Sequence, residues 1–189
     1  MAKETTITEK IKKLDEATSW FYSDEFKLDE AEERYKDAMK LAKEIEALGV
    51  QSICIKDMAG IMSPKEGYDL VKALKANVKV PIVVHTHSTT GLGFMTLLKC
   101  VEAGADVIDS AISCFSGGTS QPATETLVYT LKQYGYEVDV DENICKEIND
   151  FFKPIRAKAL DSKLLNPVVM GTQTDALIYQ IPGGMLSNL

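Results

Sequence analysis

Three short apolar runs alternate with amphipathic helical patterns through the middle of this chain, and no other feature constrains its fold as strongly. The runs are Gln51-Ser-Ile-Cys-Ile-Lys56, Val80-Pro-Ile-Val-Val-His-Thr86 and Asp106-Val-Ile-Asp-Ser-Ala-Ile-Ser113. After the first come a turn, Pro64 and a helical pattern through Val71 and Leu74. After the second, Gly91 opens a helix with Leu97, Leu98 and Val101 on one face, stopping at Gly104. After the third come a glycine-rich loop and a helix over 123–133. Strands alternating with helices predict β-α units around a parallel sheet. Each helix stops at a glycine or polar turn before the next strand.

Flanking segments read as helical. Residues 1–16 form a short helical pattern and Ala17–Tyr22 a possible fourth strand. A long charged helix follows over 28–48, with Gly49 as its stop. Its expected buried stripe is Ala31, Tyr35, Ala38, Leu41, Ala42, Ile45 and Leu48. After Asp139 a helix carries Ile144, Ile148, Phe151, Phe152 and Ile155. An irregular segment over 166–174 precedes a last helix from Asp175, interrupted by Pro182-Gly183-Gly184. Three or four strands do not close an eight-stranded barrel, which takes ~250 residues. The expectation is an α/β chain with an open sheet, or one whose missing half comes from a second copy.

Composition narrows the function classes. The 189 residues are 45% hydrophobic and 26% charged, with net charge -7. That balance disfavours binding to nucleic acid or to an anionic membrane. No apolar stretch approaches the ~20 residues of a membrane span. The N-terminus lacks the apolar core of a signal peptide, so the expected location is the cytoplasm. Cys54, Cys100, Cys114 and Cys145 are widely spaced and read as buried free thiols, Cys54 and Cys114 within apolar, strand-like runs.

The chain's only two histidines, His85 and His87, stand two apart at the end of the second run. Positions i and i+2 of a strand share a face, so both imidazoles can reach one metal ion. Two strand-end histidines bonded to backbone or water would show the same spacing. Ligands of α/β proteins collect at the C-terminal edge of the sheet, where this pair lies. Lys56 ends the first run; burying its ammonium would be costly, and desolvation would favour the neutral amine. A neutral amine can take up carbon dioxide as a metal-binding carbamate. The alternative is a lysine that snorkels to the strand end or pairs with Asp57. In the loop Ser116-Gly-Gly-Thr-Ser-Gln-Pro122, the glycines permit close backbone approach, and Thr119 and Ser120 offer hydroxyls. A plain turn before a helix would look alike.

Ile55-Lys-Asp-Met-Ala-Gly60, His85-Thr-His-Ser-Thr-Thr-Gly91, Gly117-Gly-Thr-Ser-Gln-Pro122 and Gln180-Ile-Pro-Gly-Gly-Met-Leu-Ser-Asn188 together resemble the carboxyltransferase domain of biotin-dependent enzymes. The similarity is to the oxaloacetate decarboxylase α subunit and the pyruvate carboxylase B subunit. It implies a partial (β/α)8 barrel of three to four units over 41–138. A truncated helical extension would occupy 139–189, and 1–40 forms a helical segment unlike the family. It implies His85, His87 and carbamylated Lys56 as ligands of a divalent zinc, manganese or cobalt ion. It implies Thr119 as a proton carrier between biotin and a keto acid. Carboxyl would pass between oxaloacetate or pyruvate and biotin borne on a separate carrier domain or chain. The family's first strand carries an Arg-Asp pair whose aspartate is a further ligand, and no such motif stands here. Substrate-binding residues are not assigned. Weak or absent activity is therefore expected, the alternative being an inert, structural or engineered half-barrel.

Overall fold

The computed structural model describes residues 28–179 continuously and, before them, positions 8, 9, 12, 13 and 16, all helical. The expected strand at 17–22 and the Pro182 interruption lie outside the described residues. Helix α1 spans Leu28–Glu46 and strand β1 Ile53–Asp57. Helix α2 spans Pro64–Asn77, β2 Ile82–Thr86, α3 Gly93–Glu102 and β3 Val107–Ile108. Helices α4, α5 and α6 span Thr124–Gln133, Glu142–Asp161 and Ala176–Tyr179. Short 3-10 turns occupy Ser113–Phe115 and Pro167–Met170. No described helix is long and apolar enough to cross a membrane.

The three strands form a parallel sheet in the order β1-β2-β3. Ile53 pairs with Ile82 and Lys56 with His85, while Val83 pairs with Val107. Alternation sends Ile82, Val84 and Thr86 toward the helices, where all three are buried. Val71 and Leu74 of α2 and Leu97 and Cys100 of α3 close over them. Helix α2 starts where Ser63 and Glu66 reciprocally satisfy each other's backbone N–H, with Pro64 in its first turn. Gly67 lets α2 approach α3, since a Cβ there would stand 2.8 Å from Cys100 Sγ. Glu46 at the end of α1 accepts the Val80 N–H at 2.9 Å, tying that helix to the start of β2.

Four expectations need correction. The third strand is only two residues long. Beyond Asp109 the chain pairs with its own returning loop, Ala111 N–H donating to Pro122 O at 3.0 Å. Among the described side chains of α1 the buried stripe is Ala38, Met39, Ala42 and Ile45, with Leu41 half-buried and Tyr35 and the following Leu48 exposed; the expected Ala31 lies outside the described side chains. Helix α1 packs on α2, so only the residues facing that neighbour are covered. On α5 the expected apolar face is turned outward: Ile144, Ile148, Phe151 and Ile155 are exposed. The docked side instead carries Cys145 and Asn149. Asn149 Oδ1 accepts the Cys114 N–H at 2.7 Å, and its amide donates to Glu125 and to Cys145 O. Finally, the four thiols are free, but Cys54 is exposed, because alternation turns it away from the helices.

Candidate functional site

The open face of the sheet is organised in rows across the strands. Cys54, Val83 and Val107 make one row; Lys56 and His85 begin the next. Asp109 extends that second row, its N–H donating to Val84 O at 2.9 Å one residue past the end of β3. His87 stands one step further toward the C-terminal rim. Parallel pairing still guides it there, since its N–H donates to Asp57 O at 3.1 Å.

The two imidazoles converge. Their Nε2 atoms lie 3.1 Å apart, with ring centroids separated by 5.1 Å. His85 is gripped from behind by Asp109, Nδ1 to Oδ2 at 2.8 Å. The Gln121 amide nitrogen approaches His85 Nε2 at 3.2 Å. Burial lowers the basicity of His87, and His85 and Lys56 lower it further; the Thr119 backbone carbonyl and Asp57 act in the opposite direction. Lys56 is thus within electrostatic reach of His87. It is exposed, not buried as its place after Ile-Cys-Ile suggests, because no second layer among the described residues covers this face.

Asp57 is not the partner of Lys56. It faces the other side of the sheet, where it accepts the N–H groups of Ile61 and Met62, each at 3.1 Å, and the Thr86 hydroxyl at 2.7 Å. It fixes the turn after β1. That turn ends at Gly60, whose φ of +65° and whose missing Cβ, which would stand 2.5 Å from His87 O, explain the glycine. The turn therefore buttresses the histidine strand directly.

The loop 117–122 folds over the rim. Ser88 N–H donates to Ser120 O at 2.7 Å, and Thr119 N–H donates to Val169 O at 2.9 Å. Gly118 has no room for a side chain, since a Cβ would run into Val169 O and Met170. Thr119 bears on the site through its main chain, which raises the basicity of His87. Sequence reasoning passed over Asp109 and Gln121, which contact His85 alongside His87. Only the parallel register, which sets Asp109 beside His85, could have signalled the first.

Among the described residues, no three His, Cys, Asp or Glu side chains gather closely enough to hold a metal ion. The protein can offer two imidazole nitrogens aimed at one point and a lysine on the adjacent strand. No aspartate, glutamate or cysteine among the described residues completes that set.

This architecture is a parallel β-α unit with a histidine pair at its C-terminal rim, as in a section of a (β/α) barrel. The chain belongs to the HMGL-like family, which its residues 1–151 match. It is 50% identical over 151 residues to the pyruvate carboxylase B subunit of Methanocaldococcus jannaschii, covering 80% of this chain and 26% of that protein. It is 41% identical over 155 residues to the methylmalonyl-CoA carboxyltransferase 5S subunit of Propionibacterium freudenreichii subsp. shermanii, covering 80% of this chain and 30% of that one. Among solved structures, the carboxyl transferase domain of Rhizobium etli pyruvate carboxylase with pyruvate matches with a TM-score of 0.70. The identity is 31%, covering 82% of this chain and 26% of that chain. The chain thus spans less than a third of the length of these relatives, and its fold is a portion of their barrel.

Proposed function

We propose that this chain is the metal-site portion of a biotin-dependent carboxyltransferase. It would serve carboxyl transfer between oxaloacetate or pyruvate and biotin, the biotin being carried on a separate domain or chain. One observation carries the reading: in a chain of this family, two imidazole Nε2 atoms stand 3.1 Å apart at the sheet's C-terminal rim. Nitrogen donors so close to one another suit a shared cation. His85 and His87 would hold it, with Lys56 from the neighbouring strand as a third ligand after its amine adds carbon dioxide and releases a proton. Such a divalent cation supplies a Lewis acid for a keto-acid carbonyl. Imidazole and carbamate oxygen suit zinc, manganese or cobalt. The chain's own residues orient and shield. Asp109 and Gln121 hold His85, and the Thr119 main chain bears on His87. Four free thiols support a reducing cytoplasmic compartment.

Titration calorimetry with Zn2+, Mn2+ and Co2+ tests the site. Binding is expected in the wild type and lost in His85→Ala and His87→Ala, with circular dichroism unchanged. Metal affinity unaltered by either substitution removes that histidine from the site.

The isolated chain is expected to decarboxylate oxaloacetate poorly when given free biotin and metal. Among the described residues three strands form the sheet, and no cluster of His, Cys, Asp or Glu completes a ligand set. Turnover of ~1–1000 per second, the ordinary enzyme range, would contradict this. A wild type that binds no metal would favour the alternative of an inert half-barrel. Homodimerisation would cover the open face and the uncovered edge of β1; a stable monomer across dilution in light scattering argues against it.

A further inference from the structure

The geometry points to Asp109 as the positioning residue that sets the tautomer of His85, so that the lone pair of its Nε2, and not a hydrogen, faces His87. The inference rests on the metal-site reading above and names the device that arms it.

A neutral imidazole carries one proton on either nitrogen, and the free ring prefers Nε2. That preference would point an N–H at His87 and close the site to a cation. Two contacts reverse it. Asp109 Oδ2, an acceptor only, lies 2.8 Å from His85 Nδ1 and draws the proton there. On the opposite nitrogen, the Gln121 amide stands 3.2 Å away with its NH2 group, a donor, toward Nε2. The amide is oriented by its other end: Ser120 Oγ donates to Gln121 Oε1 at 3.4 Å. An acceptor behind the ring and a donor in front both require Nδ1–H, with the Nε2 lone pair turned toward the site.

Position supports the assignment. Asp109 follows β3 in the row of His85, where its N–H bond to Val84 O holds its backbone. Its side chain is 41% exposed, and among the described residues the side chain it bonds is that of His85. It neither pairs a cation of the scaffold nor caps a helix, unlike Asp106 three residues earlier, which binds Lys75. Carboxylates that hold a metal-binding imidazole from behind fix ring orientation and raise ligand basicity.

Two measurements on the whole chain decide the matter. In metal-free protein at pH 8, 15N–1H correlation spectra report which His85 nitrogen carries the proton. Nδ1–H is expected in the wild type and in Asp109→Asn, whose amide oxygen still accepts. In Asp109→Ala the proton should move to Nε2. Calorimetry with Zn2+ alone should then show an affinity loss of about ten- to a hundredfold in Asp109→Ala, and near-wild-type binding in Asp109→Asn. The same tautomer in Asp109→Ala as in the wild type overturns the inference, and so does unchanged Zn2+ affinity in that variant. A wild type that binds no Zn2+ defeats the metal reading instead, and the tautomer measurement then decides this inference by itself. The Asn variant also separates loss of the acceptor from loss of fold.

Discussion

On the helix side of the sheet, Ile82, Val84 and Thr86 are buried beneath α2 and α3. On the other side, the intervening positions of the same strand and its neighbours carry Cys54, Lys56, His85, Asp109 and the exposed Val107. A single alternation separates a packed core from a titratable, solvated surface. Among the described residues, the helix side is covered by α2 and α3, whereas the open side is covered at the rim, by the loop 117–122. Stability and chemistry are therefore assigned to opposite faces of one strand. Substitutions at adjacent residues should separate them.

The largest contrast is expected within β2. Ile82→Ala removes a fully buried side chain and should cost about 3 kcal/mol in urea unfolding. Val83→Ala, one residue along and facing the open side, should cost about 0.5 kcal/mol or less. Equal losses would mean that the open face is packed in solution. Rerunning the Val83 variant at high protein concentration sharpens the comparison, because a second copy covering that face would raise its cost.

The next effect concerns the docking of α5. Asn149→Ala leaves the buried Cys114 N–H without its acceptor and should destabilise the chain by about 2 kcal/mol. Ile148→Ser, on the outward side of the same helix, should leave stability nearly unchanged, and a large loss there would show that the apolar side is covered. This helix illustrates what the sequence conceals. Its periodicity correctly marks a helix, and an isoleucine-phenylalanine face ordinarily marks the buried side. The contact is made by a polar network among Asn149, Glu125 and Cys114, joined from the apolar residues by Phe152, which packs edge-on against Phe115. No local pattern announces those partners, because they come from distant segments.

The strand-helix order was legible for the opposite reason: its signals are local. Ser63-Pro64 with Glu66 starts α2, and the alternation of Ile82 to His87 puts both imidazoles on one face whatever lies around them. The extent of β3 was not legible, because ladder length depends on a neighbouring strand. The run Asp106–Ser113 has β2 on one side, and past Asp109 it turns to its own loop. Asp109 and Gln121 escaped notice for a related reason. Parallel register brings one to His85 and the folded loop brings the other, and neither is encoded in spacing along a single segment.

A smaller, pH-dependent effect lies at the base of the sheet. Asp106 accepts the Ile82 N–H at 2.8 Å and pairs with Lys75 Nζ at 2.9 Å. The Ile82 N–H, with Lys75 adding to it, holds the Asp106 carboxyl below its ordinary value. The unfolded chain then binds the proton more tightly, so stability rises with pH through this window. The Asp106 contribution is complete above the ordinary carboxylate pKa and fades as pH falls through the lower, folded one. Asp106→Asn should cost about 1 kcal/mol at pH 7, the salt bridge being partly exposed, and flatten the acid side of the unfolding curve. An acid limb as steep as that of the wild type would assign the dependence to other carboxylates.

The smallest effect is expected at the rim, where the two faces meet. Thr119 bears on His87 through its carbonyl and is anchored by its own N–H to Val169. Neither contact uses the hydroxyl. Thr119→Ala should therefore leave Zn2+ affinity, measured by calorimetry, within about twofold of the wild type, since surface changes away from packed features rarely exceed ±0.5 kcal/mol. Any role of that hydroxyl in proton movement would then appear in turnover alone. A tenfold loss of affinity would mean that the side chain, and not the backbone of the loop, shapes the histidine pair. The open face would in that case depend on its rim loop as closely as the buried face depends on α2 and α3.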